Sequence, residues 1–136
     1  MAKTASLPFT GSYEHTQGFG ARPEVYAQFG IDGHDGDDWL MPVDTPVYSP
    51  VSGKILRKGN DPASYGVFYQ VWDKDQQLLI NLAHLHATLK EQGSSVTRGE
   101  LIAYSGSSGF SEAPHLHVAD ADTSITGLKV NEANGF

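Results

Sequence analysis

Glycine and proline recur along the whole chain, fifteen and seven of them in 136 residues, and cut it into short segments rich in Val, Ile, Tyr and Leu. Short apolar runs bounded by turn residues predict an all-β domain. The expected strands cover residues 45–48, 53–57, 67–72, 78–84, 100–104 and 115–119. Turn signals separate them, notably Asp73-Lys74-Asp75, Gly93-Ser94-Ser95 and Ser105-Gly106-Ser107-Ser108-Gly109. One short helical turn is expected over residues 87–92. No linker, low-complexity run or heptad interrupts the pattern, so residues 1–136 read as a single domain. That length can bury a core without metal or disulfide staples.

The chain has no cysteine, which rules out disulfides and thiolate zinc sites and leaves His and carboxylates as the only strong metal donors. A formal net charge of −7 argues against binding phosphate backbones, which takes clustered Lys and Arg. No segment is long and apolar enough for a membrane-spanning helix. Neither nucleic acid nor membrane is expected as a partner, and a monomer is expected.

Five of the six histidines fall into three tight groups. His34-Asp35-Gly36-Asp37-Asp38 is an H-x-x-x-D. Gly36 and the aspartates favour a strand edge or loop there over a helix. Ala83-His84-Leu85-His86 and Pro114-His115-Leu116-His117 are both H-x-H. In a strand, residues i and i+2 share a face, so each pair aims two imidazoles at one patch while the leucine between them points the other way. An isolated H-x-H is commonly a hydrogen-bonded surface pair. Two of them with an H-x-x-x-D, in a small chain without cysteine, favour a metal site.

Zinc suits these residue types. A catalytic zinc keeps three protein ligands and leaves a position for water; two His and one Asp suffice. It lowers the pKa of that water towards about 7 and polarises a carbonyl as a Lewis acid. Imidazoles that are not ligands can accept the water proton or stabilise the oxyanion. Such a scheme needs more histidines than ligands, and the sequence has them.

The three blocks, His34 to Asp38 as H-x-G-x-D, Ala-His-Leu at residues 83–85 and Pro-His-Leu-His at residues 114–117, resemble in kind and order the signature motifs of lysostaphin and LytM-type zinc endopeptidases. Residues 41–53 are similar to that family's P-x-G-T-P-V-Y-A stretch, and residues 96–109 to its glycine-rich approach to the last motif. The likeness runs from about residue 18 to residue 118. It implies a mostly antiparallel open β-sheet whose groove, flanked by loops, carries the zinc. By the same resemblance His34, Asp38 and His117 hold Zn²⁺, and His84 and His115 are the catalytic histidines. The implied activity is hydrolysis of peptide bonds in peptidoglycan cross-links or stem peptides, with a peptidoglycan peptide as partner. Residues 1–8 lack an apolar run after Lys3 and do not read as a secretory signal, so the wall is reached after loss of a leader or by another route such as phage lysis.

Departures from the family pattern leave the ligand positions intact. Asp44 stands where a glycine is usual, Leu82 where a tyrosine is common, and His86 where Ser or another small polar residue is usual; the tail after Val118 lacks the common Pro-Leu. His86 and His15 are therefore read as surface or groove-lining histidines outside the site. Tyr26 is a candidate for a tyrosine beside the oxyanion. Asp32, Asp35 and Asp37 read as a solvated acidic turn, because their spacing misses the Ca²⁺-loop pattern. Two other readings stay open. Degenerate members of the family act as binding or activator modules, so a non-catalytic, zinc-stabilised wall-binding module is the alternative. A carrier-like domain is suggested by the echo between Pro50-Val51-Ser52-Gly53-Lys54-Ile55 and Val96-Thr97-Arg98-Gly99-Glu100-Leu101-Ile102. Lys54 lacks the flanking residues of biotinyl and lipoyl carriers, and that reading gives the histidines no work.

Overall fold

A computed structural model describes residues 4–17, 37–111 and 113–120. Among them are nine strands: β1 (Glu14–Gln17), β2 (Asp37–Leu40), β3 (Pro46–Tyr48), β4 (Gly53–Asp61), β5 (Gly66–Asp73), β6 (Leu78–Thr88), β7 (Ser95–Val96), β8 (Leu101–Ser105) and β9 (His115–Asp120). They form one open sheet in the order β1-β2-β9-β6-β5-β4-β7, with β8 pairing both β3 and β6. Every pairing is antiparallel. No helix occurs among the described residues, as expected of an all-β chain.

Alternation builds the core. Along β5, Phe68, Tyr69, Val71 and Asp73 are buried and Gln70 and Trp72 are partly exposed. Trp39, Val47, Ile55, Tyr69, Val71, Ile80, Leu82, Leu85, Ile102, Leu116 and Val118 form one cluster, each at most 2% exposed. Burying each such side chain contributes roughly 1.5–3 kcal/mol relative to exposure. The β5–β6 connection closes on Asp73, whose Oδ1 accepts hydrogen bonds from the backbone N–H groups of Asp75 (3.0 Å) and Gln76 (3.2 Å). A carboxylate that satisfies the N–H groups ahead of it is the usual reason for Asp at a turn.

The helical turn expected over residues 87–92 is absent. Ala87 and Thr88 continue β6 and pair with Tyr104 and Ala103. Leu89 N–H then bonds Ile102 C=O (2.9 Å), and Lys90 N–H bonds the Tyr69 hydroxyl (2.9 Å). Partners on a neighbouring strand take the groups a helix would have paired internally, and tertiary pairing overrides the local helix preference.

Candidate active site

β2 and β9 lie side by side with Asp38 opposite His117 and Leu40 opposite His115. The two-residue period puts these four side chains on one face and Trp39 and Leu116 on the other, in the core. On the first face His117 Nδ1 lies 2.9 Å from Asp38 Oδ1, with both side chains almost fully buried. His115 Nε2 lies 3.6 Å from Asp38 Oδ2.

His84 reaches the same place by a bulge. Tyr69 pairs with Leu82 and Val67 with Leu85, so Ala83 and His84 together oppose one residue of β5. His84 takes a left-handed φ of 60°, a bend that re-aims a side chain where a regular strand could not. Its ring centroid is 4.6 Å from that of His115 and 5.9 Å from that of His117. The bulge also separates the first H-x-H pair. Leu85 is in the core as expected, but His86 leaves the cluster and bonds Asp44 (Nδ1 to Oδ1, 2.6 Å). The expectation that both imidazoles of this pair converge on one patch is thus corrected, while the second pair, His115 and His117, does converge.

The loop between β8 and β9 orients the two remaining imidazoles. His84 Nδ1 is 2.6 Å from the Ser108 carbonyl oxygen. A carbonyl only accepts, so Nδ1 carries the hydrogen and Nε2 of the neutral ring keeps its lone pair. Ser108 is itself fixed, its hydroxyl donating to Leu85 C=O (2.7 Å) and accepting from Val67 N–H (3.0 Å). This docking needs Gly109, with φ of 75°, because a Cβ there would lie 2.2 Å from Gly66 N and 2.4 Å from Ser64 O. His115 Nδ1 is likewise 2.8 Å from Ala113 C=O and 3.1 Å from the Ser111 hydroxyl. Both rings therefore offer Nε2. Burial, and then the neighbouring His115 and His117, push the His84 pKa down to about 4, against smaller opposing effects of Ser108 and Asp38. His84 stays neutral at physiological pH.

Sequence reading did not single out the positioning groups Ser108, Ser111 and Ala113, nor Tyr65, whose ring centroid lies 5.5 Å from that of His117 and whose carbonyl accepts the His84 N–H (2.7 Å). Ser108 lies within the glycine-rich stretch 96–109, but that stretch gives it no role, and no motif marks Tyr65, Ser111 or Ala113; each acts through a contact formed only by the fold.

Among the described residues no group of three or more His, Asp or Glu side chains is arranged to hold a metal ion. The Asp38–His117 pair does fit zinc chemically: a carboxylate oxygen and an imidazole nitrogen, here 2.9 Å apart, are both ligand types that zinc takes, and these two residues would hold it. The third expected ligand, His34, lies outside the described residues, as do Tyr26, Asp32 and Asp35.

The family profile described as Peptidase family M23 matches residues 32–125, most of the chain and every histidine of this cluster. The chain belongs to peptidase family M23. It is 36% identical over 84 residues to the peptidoglycan DD-endopeptidase ShyA of Vibrio cholerae, covering 62% of this chain and 19% of that protein. It is 33% identical over 114 residues to lysostaphin of Staphylococcus simulans, covering 82% of this chain and 22% of that protein. The chain thus spans about a fifth of the length of these curated relatives. Among solved structures, the catalytic domain of Staphylococcus simulans lysostaphin superposes with a TM-score of 0.69 at 33% identity, covering 78% of this chain and 77% of that one. A zinc-containing peptidase from Vibrio cholerae superposes with a TM-score of 0.75 at 27% identity, covering 88% of this chain and 37% of that one.

Within this M23 sheet the remaining sequence expectations sort by face. Asp37 is not part of a solvated turn: it points to the core side of β2, is 1% exposed and accepts from His15 Nε2 at 2.9 Å. A buried carboxylate requires such a donor. His15 also lies against Trp39, with ring centroids 5.1 Å apart, and stays out of the cluster as expected. Asp44 has φ of 69°, the conformation that accounts for a glycine at this position in the family pattern and that Asp tolerates better than most residues.

Proposed function

We propose that the chain is a zinc-dependent endopeptidase that hydrolyses peptide bonds in peptidoglycan cross-links or stem peptides. The observation that carries this reading is the convergence of Asp38, His117, His115 and His84 on one face of the sheet, with two imidazoles left over once Asp38 and His117 are assigned to a metal. In this reading His34, Asp38 and His117 hold the zinc, and His84 and His115 act on the reacting atoms.

Zinc bound there would supply an acidified water and a polarised scissile carbonyl. His84 and His115 each present an Nε2 lone pair, so either can take the proton of the attacking water as its oxygen bonds to the carbonyl carbon. The ring that takes the proton becomes an N–H donor. It can then bond the developing oxyanion or deliver the proton to the amine as the C–N bond breaks. Ser108 and Ala113 hold the rings in this orientation through Nδ1. The depressed pKa keeps His84 unprotonated, and so able to accept a proton, at neutral pH.

The test is the release of new amino groups from purified cell walls of several cross-link types, followed by mass spectrometry of the fragments. Cleavage that is lost on chelation and restored by zinc is expected. Binding to walls without cleavage under any metal condition would instead establish the chain as a non-catalytic wall-binding module.

A further inference from the structure

Asn81 lies on β6 and takes no part in the chemistry above. It stands opposite Ala119, and Ala83 stands opposite His117, so the two-residue period puts Asn81, Ala83, Ala119 and His117 on one face, that of the site. The alternate residues Ile80, Leu82 and Val118 point the other way, into the core cluster, to which Asn81, Ala83 and Ala119 do not belong. Asn81 is thus the diagonal neighbour of His117 across β6 and β9, at about 7–8 Å. The side chains next to it towards His117, those of Ala83 and Ala119, are methyl groups, too short to stand between the two.

The carboxamide oxygen of Asn81 is buried and has no hydrogen-bond partner among the described residues, and the residue as a whole is 8% exposed. Gln70 stands directly opposite on β5, yet its amide does not reach that oxygen. A buried acceptor left unpaired disfavours the folded chain, and native proteins keep few of them. The depth is that of the site itself, where Asp38, His84 and His117 are 3%, 6% and 2% exposed. Asn81 therefore continues the floor on which the histidine cluster lies, and it brings there an acceptor that the fold leaves unused.

We infer that Asn81 is a substrate-binding residue whose Oδ1 accepts a hydrogen bond from a main-chain N–H of the bound peptide. A carboxamide oxygen is a neutral acceptor, and an amide N–H is the neutral donor that every peptide carries at each non-proline residue. An extended peptide rises about 3.3–3.4 Å per residue, so the 7–8 Å between His117 and Asn81 corresponds to about two residues. A peptide whose scissile carbonyl lies beside His117 then has an N–H for Asn81 no more than two residues from the bond that is cut. Such a contact reads the main chain and not the side chains. It fixes the register in which the peptide meets the reacting groups.

This inference rests on the peptidase reading and deepens it by naming how the peptide is held. The probes are a cross-linked muropeptide and analogues in which an ester oxygen replaces one amide N–H at a time, at each amide within two residues of the scissile bond, which itself stays intact. For the wild type, one analogue should show a KM raised roughly threefold to tenfold, the size of one neutral hydrogen bond. Asn81→Leu, similar in volume and without the oxygen, should raise KM for the parent peptide by the same factor and handle that analogue and the parent alike. Its thermal midpoint should not fall, because an unpaired buried acceptor has been removed. Asn81→Ala should show the same loss of discrimination. Discrimination that is absent in the wild type, or that persists in both variants, overturns the contact while the peptidase reading stands. A midpoint lowered in both variants also overturns it, since the oxygen then has a partner within the fold. If the parent is not cleaved, the peptidase reading fails, and calorimetric titration of the same peptides decides the contact. Weaker binding of one analogue, equalised in Asn81→Leu, supports it; uniform or absent binding overturns it.

Discussion

Asp38 and His117 are 79 residues apart in sequence and directly opposite each other across β2 and β9, with Oδ1 and Nδ1 2.9 Å apart in an almost fully buried contact. Position, burial and donor types make this pair the anchor of the proposed metal site. Asp38→Ala or His117→Ala should each remove stoichiometric zinc, measured by elemental analysis, and reduce wall hydrolysis to background. A chelator should do the same to the wild type, and added zinc should reverse it. Full zinc occupancy in both variants would show that the metal is held elsewhere.

His84 and His115 should separate chemistry from metal binding. Replacing either by alanine should leave zinc bound while kcat falls by about 10²-fold or more, the usual contribution of a positioned acid–base group. Turnover of His115→Ala near the wild-type rate on a confirmed substrate would remove it from the mechanism.

Acid should weaken the metal-free fold through His84. Its pKa is about 4 in the folded chain against 6.5 for the unperturbed group, so between these values the unfolded state binds more protons than the folded one. Stability is then fully present above about pH 6.5 and falls as pH drops towards 4, by about 3 kcal/mol for this one group. Urea denaturation of metal-free protein across that range checks it. His84→Ala should flatten the slope.

The loop that orients His84 depends on Gly109. Alanine there is strained by φ of 75° and drives its Cβ to 2.2 Å from the Gly66 backbone nitrogen. Gly109→Ala should lower stability by about 1–3 kcal/mol and reduce kcat, because the Ser108 carbonyl that holds His84 moves with the loop. Thermal unfolding with parallel kinetics measures both. An unchanged kcat would mean that Ser108 does not position His84.

On the opposite face, His15→Ala should destabilise the chain by roughly 1–3 kcal/mol, since it takes a hydrogen-bond donor from the buried Asp37 carboxylate. Denaturant midpoints measure the loss. Asp37→Asn in the His15→Ala background should recover part of it by removing the buried charge.

The sequence by itself determined the all-β class and the convergence of His115 with His117, because both follow from local rules. Glycine-punctuated apolar runs favour strands, and a two-residue period forces His115 and His117 to one face and Leu116 into the core. The resemblance named Asp38, His84 and His115 before any contact between them was visible. Only the tertiary structure decided how they meet. The left-handed bend at His84 arises from a register mismatch between β5 and β6, which no residue of the Ala-His-Leu motif encodes alone. That bend joins His84 to His115 and leaves His86 to Asp44, where strict alternation would have kept the two imidazoles together. Asp37 and Asp38 are chemically alike and adjacent, yet one is held in the core by His15 and the other faces His117. The physical reason is that composition and period fix which groups a strand can present, whereas bulges, register and long-range hydrogen bonds fix which of those groups share a site.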